Sequence, residues 1–308
     1  MIPSRAVLAA STDRSHEVAR AWQSGTEVTR IADAFAGCDP ERVDAVADVA
    51  EALLRDGRWI APMLAPLIEA LAADPWFEPP VRVTRDPLRT TALLLELPAL
   101  TLTATILSAA EMARAPAPAT LAASGRLSVA RYHRAGGATL ARWEVGPADE
   151  RFSAADAPPL MPLPLLPLVD GMVCRIDGRR HAHLIEGATS DVALLTFATR
   201  STGLTREYDR ADGTLLRAAT SDDAASRTRL LLTLLRVDGR RDAAAHFAAA
   251  AQDAAFHLRW DAMREWLALD LRTAAPRLRQ MAMHDPHDEV RAAAARTLPL
   301  VEARLCRA

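Results

Sequence analysis

The chain has no lysine and no asparagine, so all 37 of its basic side chains are arginine. Lysine and asparagine share A-rich codons, whereas alanine and arginine are mostly GC-rich. The gap therefore marks a GC-rich bacterial genome, and the arginine excess alone says little about arginine chemistry. Cysteine is scarce as well: Cys38, Cys174 and Cys306 stand far apart, odd in number and with no CxxC. That fits reduced thiols in a cytoplasmic protein better than a disulfide framework. No unbroken apolar run reaches the roughly eighteen residues of a spanning helix, because Glu96 and Pro98 divide the longest one. The opening MIPSRAVLAASTDR is too weakly apolar for a signal peptide. A formal net charge of -2 with intermixed signs disfavours nucleic acid and membrane as partners. There is no GxSxG, no Gly-rich phosphate loop and no HExxH, which excludes nucleophile-elbow hydrolases, P-loop enzymes and zinc proteases.

What is present is a patterned globular chain of 308 residues, half of them hydrophobic, long enough for about two domains. The patterning predicts an α+β fold with a helical N-terminal unit over 1–80, an antiparallel β domain over 88–220 and an α-helical region over 221–308. In the first unit, Val43, Val46, Ala50 and Leu53 form one stripe, Asp39 and Pro40 read as a helix start and Gly57 as its stop. A second helix carries Leu64, Leu67, Ile68 and Leu71. Beyond Pro80 the period shifts to two. ALTLTATIL, RLSVARYHR, GGATLARWEV, VALLTFAT, LTREYD and GTLLRAAT read as strands, with two more flanking Asp177-Gly178. The spaced prolines of APPLMPLPLLPL, 157–168, predict an extended crossing loop outside the sheet. From Ser221, read as a cap, the chain turns helical again, with Leu231, Leu234 and Leu235 expected inside.

Near the C-terminus, Asp285 reads as a helix cap with Pro286 at the first helical position, and Val290, Ala294, Leu298, Val301 and Leu305 form a buried stripe. Asp285, Pro286, Val290, Arg291, Ala294 and Leu298 resemble the second helix of a HEAT repeat, with the Val one position late. The resemblance extends over about residues 256–305. It implies stacked helix pairs that engage a protein partner, for which exposed Arg296 and Arg304 are the candidate residues. A weaker alternative sets Arg279, Arg291 and Arg296 on nucleic-acid phosphate.

His181 and His183 share one face of a strand, about 7 Å apart, a spacing two metal ligands can use. The pair resembles part of the first cupin motif, although Gly178 stands too near and Glu186, three residues on, faces the other way. The second cupin motif is missing. A cupin-like or jelly-roll barrel is nonetheless implied, its mouth lined by Arg131, Trp143, Arg175 and His183 as a small-molecule site. The functional expectation is a non-catalytic binding or regulatory protein without cofactor. The alternative is a metal-dependent cupin-type oxidoreductase or isomerase holding Fe, Mn or Zn on His133, His181 and His183.

Overall fold

A computed structural model describes residues 4–148, 152–200, 203–220 and 223–306; Ser221, the expected cap, lies outside them. The chain is α+β, with antiparallel sheets and a C-terminal helical region, and divides into two compact units.

Unit 1 comprises residues 1–118, 126–143 and 162–200. Four helices, α1 (Arg5–Gln23), α2 (Thr26–Phe35), α3 (Val43–Asp56) and α4 (Ile60–Ala73), precede its strands. These are β1 (Arg82–Arg85), β2 (Arg89–Glu96), β3 (Leu100–Leu107), β5 (Leu127–Arg134), β8 (Val173–Asp177) and β10 (Val192–Thr199), which form one antiparallel sheet in the order β1-β2-β3-β10-β5-β8. Helix α3 starts at Val43, later than expected, because Asp39 accepts from the Glu41 amide and closes a turn first. It stops at Gly57, whose φ of 60° only glycine adopts readily.

Both faces of this sheet are covered along its central strands, while β1 at its edge is exposed, and strand alternation sorts the residues between the two faces. On one face Leu100, Leu102, Leu127, Val129, Leu195 and Phe197 join Ile31, Phe35, Val46, Leu54, Trp59 and Met63 of the helical layer in a single core. On the other face Ala130, Tyr132, Cys174, Ile176 and Val192 meet Leu140, Leu166 and Ile185 of a second sheet. That sheet has the order β7-β6-β9, from β7 (Met161–Pro167), β6 (Thr139–Glu144) and β9 (His181–Glu186).

The proline-rich segment is thus an edge strand, not a loop. Pro162 and Pro164 are two residues apart, so their missing N–H groups lie on the same side, and an edge strand has a side that needs none. In α4, Ile68 and Leu71 are exposed while Met63 and Leu67 are buried, so its apolar stripe is narrower than the sequence implies.

Unit 2 comprises residues 119–125, 144–161 and 201–308. Its sheet has the order β12-β11-β4, from β4 (Thr120–Ala123), β11 (Leu204–Asp209) and β12 (Leu215–Thr220). Its helices are α6 (Asp223–Val237), α7 (Ala244–Ala250), α8 (Phe256–Leu269), α9 (Leu271–His284) and α10 (Asp288–Leu305); the short α5 (Ala109–Arg114) belongs to unit 1. Leu232, Phe247, Met263, Trp266, Leu278, Met281, Val290 and Val301 form its helical core. In α6 the expected inside set is off by a residue: Leu231 and Leu234 are exposed, and Leu232 is buried with Leu235 against it. Asp285 also differs from expectation. It is buried, its carboxylate takes both a bidentate pair from Arg259 and the His287 amide, and α10 begins at Asp288.

Candidate active site between the sheets of unit 1

The inner face of the large sheet carries polar side chains in register. One row runs Leu93, Thr103, Thr196, Ala130, Cys174 across β2, β3, β10, β5 and β8. The next runs Thr91, Thr105, Leu194, Tyr132. Thr91, Thr103, Thr105 and Thr196 are all half-buried, so the rows lead from partly solvated hydroxyls to the fully enclosed Tyr132. From the facing sheet, Arg142 shares a face with core residue Leu140 on β6, and His181 and His183 share one with Ile185 on β9. Tyr132, Cys174, Arg142, His181 and His183 therefore converge on one interior.

Two atoms there lack what burial demands. The Tyr132 hydroxyl, on a residue 0% exposed, and the Arg142 Nε are buried without a hydrogen-bond partner. Among the described residues Arg142 is otherwise held by its Nη2, 3.5 Å from the Pro164 carbonyl. Each unsatisfied buried donor costs about 1–3 kcal/mol, so such groups are rare and call for a partner such as a ligand or bound water.

The electrostatics follow from desolvation. Burial pushes the Tyr132 hydroxyl above its ordinary range, with Cys174 adding to the shift. Burial likewise raises the Cys174 thiol, outweighing the opposing pull of the Arg142 cation. His183 is shifted down, first by burial and then by neighbouring His181. At neutral pH the interior thus offers a neutral imidazole, a phenol, a thiol and the fixed positive charge of Arg142. Among the described residues no side-chain hydrogen bond holds the His183 ring, and burial keeps it in its neutral form.

The proposed barrel-mouth set is separated by the structure. Arg131 and Arg175 point at the helices: Arg131 Nη1 donates to the Leu54 carbonyl at 2.9 Å, and Arg175 pairs with Asp48 and Glu51 of α3. A Cβ at Gly57 would come 3.1 Å from the Arg131 guanidinium carbon, so the helix stop also makes room for that arginine. Trp143 alternates with Arg142 and lies on the other face of β6. Only His183 of the four faces the interior. The physical reason is that a sheet buried on both faces hides which face is the mouth.

The histidine triad does not assemble either. Tyr132 pairs with Leu194 and Arg134 with Ala193, leaving His133 as the extra residue of a bulge, where it is exposed. Among the described residues no three His, Cys, Asp or Glu are placed to hold a metal ion. The donor set does not fit a cupin metal. Arg296 and Arg304 are exposed on α10 in unit 2; Arg296 borders a groove with Phe256 and Trp260, and Arg304 another with Leu267 and Leu271.

Sequence reasoning misses Tyr132, Cys174 and Arg142. Their alternation with Ala130, Ile176 and Leu140 is legible, but no motif marks them.

No protein-family model and no curated protein matches the chain. Solved structures do. The capsular polysaccharide assembling protein CapF from Staphylococcus aureus aligns at 12% identity and TM-score 0.26, over 45% of this chain and 34% of its own. Ectoine synthase from P. lautus aligns at 14% and 0.25, over 46% and 85%. A sugar phosphate isomerase of the cupin superfamily from Silicibacter pomeroyi aligns at 13% and 0.24, over 42% and 74%. The chain spans about a third of CapF. Together these give the β region a weak cupin-like resemblance. The expectation of a non-catalytic binding or regulatory protein is corrected: the cupin-fold structures it resembles include a synthase and an isomerase.

Proposed function

We propose that the chain is a cupin-type enzyme that isomerises a small hydroxy-carbonyl compound by proton transfer between the sheets of unit 1. The observation that supports this is the pairing of two buried unpartnered donors, Tyr132 Oη and Arg142 Nε, with a histidine kept neutral by burial. Functional sites are where such perturbed groups gather. His183 takes the proton from the carbon beside the carbonyl. Arg142 and Tyr132 hold the oxygen on which the negative charge develops, the role for which fixed donors in a desolvated site are most effective. A proton, exchanged with solvent while it is held on His183, is then delivered to the neighbouring carbon, while Tyr132 Oη gives a proton to the carbonyl oxygen and takes one from the hydroxyl oxygen, so substrate and product have the same atoms and electrons. No step passes through a metal, because the donor set does not fit one.

The α8–α10 segment we read as HEAT-like pairs, supported by the Arg259–Asp285 bond that ties the α9–α10 turn to α8. A cytoplasmic setting is supported by three free cysteines. No helix among the described residues is long and apolar enough to cross a membrane.

The test uses chelator-treated protein in D2O with a panel of small α-hydroxy aldehydes and ketones, followed by NMR. Wild type should incorporate deuterium at the carbon beside the carbonyl, and His183→Gln should lose about 100-fold or more of that rate. Exchange that appears only when metal is added, or that survives in His183→Gln, contradicts the proposal.

A further inference from the structure

In unit 2, helix α6 packs on α7 and α8, with Ala225 and Leu232 buried and with Arg229 and Arg236 paired to Asp261 and Glu265 of α8. Its opposite face is apolar and uncovered. Leu230, Leu231, Leu234 and Val237 recur at the three- and four-residue spacing of one helical stripe, and they are 60%, 60%, 51% and 66% exposed. That is roughly 400 Å² of apolar surface on one copy, the size at which a patch on a monomer marks an interaction site.

Two charges of opposite sign frame the stripe. Arg227 lies one turn before Leu231 and Asp238 one turn after Leu234, both on the same face. Asp238 keeps the helical register, because its amide still donates to the Leu234 carbonyl at 2.9 Å. Both side chains are exposed, and among the described residues neither makes an ion pair or a side-chain hydrogen bond. The arginines beside Asp238 along the chain, Arg236 and Arg240, are engaged by Glu265 and Asp242. A carboxylate at the C-terminal end of a helix faces the negative end of the helix dipole, so Asp238 is unfavourable there until a cation joins it.

We propose that this face of α6 is a dimer interface, on which a second copy of the chain docks its own α6 antiparallel about a twofold axis. The stripe is self-complementary in that arrangement. With the axis at the level of Leu232 and Thr233, Leu231 of each copy meets Leu234 of the other, Leu230 meets Val237, and Arg227 meets Asp238. A parallel arrangement sets arginine against arginine and aspartate against aspartate. The two copies together bury roughly 800 Å² of apolar surface and, with the charged ends, reach the roughly 1,000 Å² that a specific interface needs.

The test is sedimentation equilibrium of the full chain from about 1 to about 200 µM at low salt, where exposed charges are least screened. Wild type should pass from monomer to dimer with no larger species, because a twofold contact closes on itself. Leu234→Glu should weaken the dimer about 100-fold or more, since it brings an unpaired charge into the apolar stripe. Arg227→Glu and Asp238→Arg should each weaken it about tenfold by placing like charges together at both ends of the contact. The double variant, Arg227→Glu with Asp238→Arg, restores opposite charges and should return to within about threefold of wild type. All three positions are exposed, so the variants should fold, and unchanged urea midpoints at concentrations below the dissociation constant check this. Should Leu234→Glu fail to fold, Leu234→Gln should still weaken the dimer several-fold. A chain that stays monomeric throughout, as it would if the face received a different protein, overturns the proposal. So does a dimer indifferent to the Leu234 variants, or one that the double reversal fails to rescue.

Discussion

Replacing Tyr132 by Phe should make the ligand-free protein more stable while impairing its chemistry. The ring lies in a fully enclosed position between Ala130, Cys174, Leu140 and Val192, and Phe retains all of its apolar packing. What is lost is one hydroxyl that has no hydrogen-bond partner. An unsatisfied buried polar group costs about 1–3 kcal/mol, so its removal should return a gain of about 1 kcal/mol or more. With a urea dependence of about 3 kcal/mol/M, each kcal/mol moves the unfolding midpoint up by about 0.3 M. Urea titration followed by far-UV circular dichroism measures this, and an unchanged slope keeps the comparison valid. Deuterium exchange into substrate, measured in parallel, should fall. A stability gain bought with function is the expected sign of a site retained for activity. A lower midpoint for Tyr132→Phe would mean that the hydroxyl is well bonded in the free protein, and the reasoning about the interior would fail.

Acid should weaken unit 1 through His183. Its folded pKa lies below the ordinary 6.5, so the unfolded chain takes up a proton that the native state refuses. Stability is therefore full above about pH 6.5 and falls as pH drops below it; urea midpoints between pH 7.5 and 5 should show a smaller loss in His183→Gln. Arg131→Met removes a charged donor from the Leu54 carbonyl near the end of α3 and should cost about 1.5–3 kcal/mol while leaving exchange activity in place, checked by thermal melting and the D2O assay. Asp285→Asn breaks a buried pair and should cost about 3–5 kcal/mol in unit 2, read from its melting transition. In α6, Leu232→Ala should cost about 2–5 kcal/mol, whereas Leu231→Gln and Leu234→Gln should each stay within about 0.5 kcal/mol by urea titration.

Much of the architecture is legible in the sequence because strand periodicity and turn residues are local signals. The strands around Asp177-Gly178, the β11–β12 hairpin at Gly213 and the stop of α3 at Gly57 all follow from short stretches. The proline-rich strand is not legible that way. Its prolines are tolerated only because β7 lies at a sheet edge, and edge position depends on residues far along the chain. The same limit hides the site. VARY places Val129 and Arg131 on one face and Ala130 and Tyr132 on the other, yet nothing local says that helices cover the first and a second sheet the other. Arg131 and Arg175 therefore look like mouth residues from strand polarity alone, and they are helix anchors. In α6 the leucine run 230–232 is apolar at every position, so the period cannot show which leucine turns inward.

A crystal structure of the chelator-treated protein with a bound hydroxy-carbonyl compound would place the reacting groups against the ligand. The ligand should lie between the two sheets of unit 1, with an oxygen within hydrogen-bond distance of Tyr132 Oη and Arg142 Nε and the carbon to be deprotonated facing a His183 ring nitrogen. A ligand bound elsewhere, or an interior closed and dry with Tyr132 Oη bonded to a protein carbonyl, would contradict it.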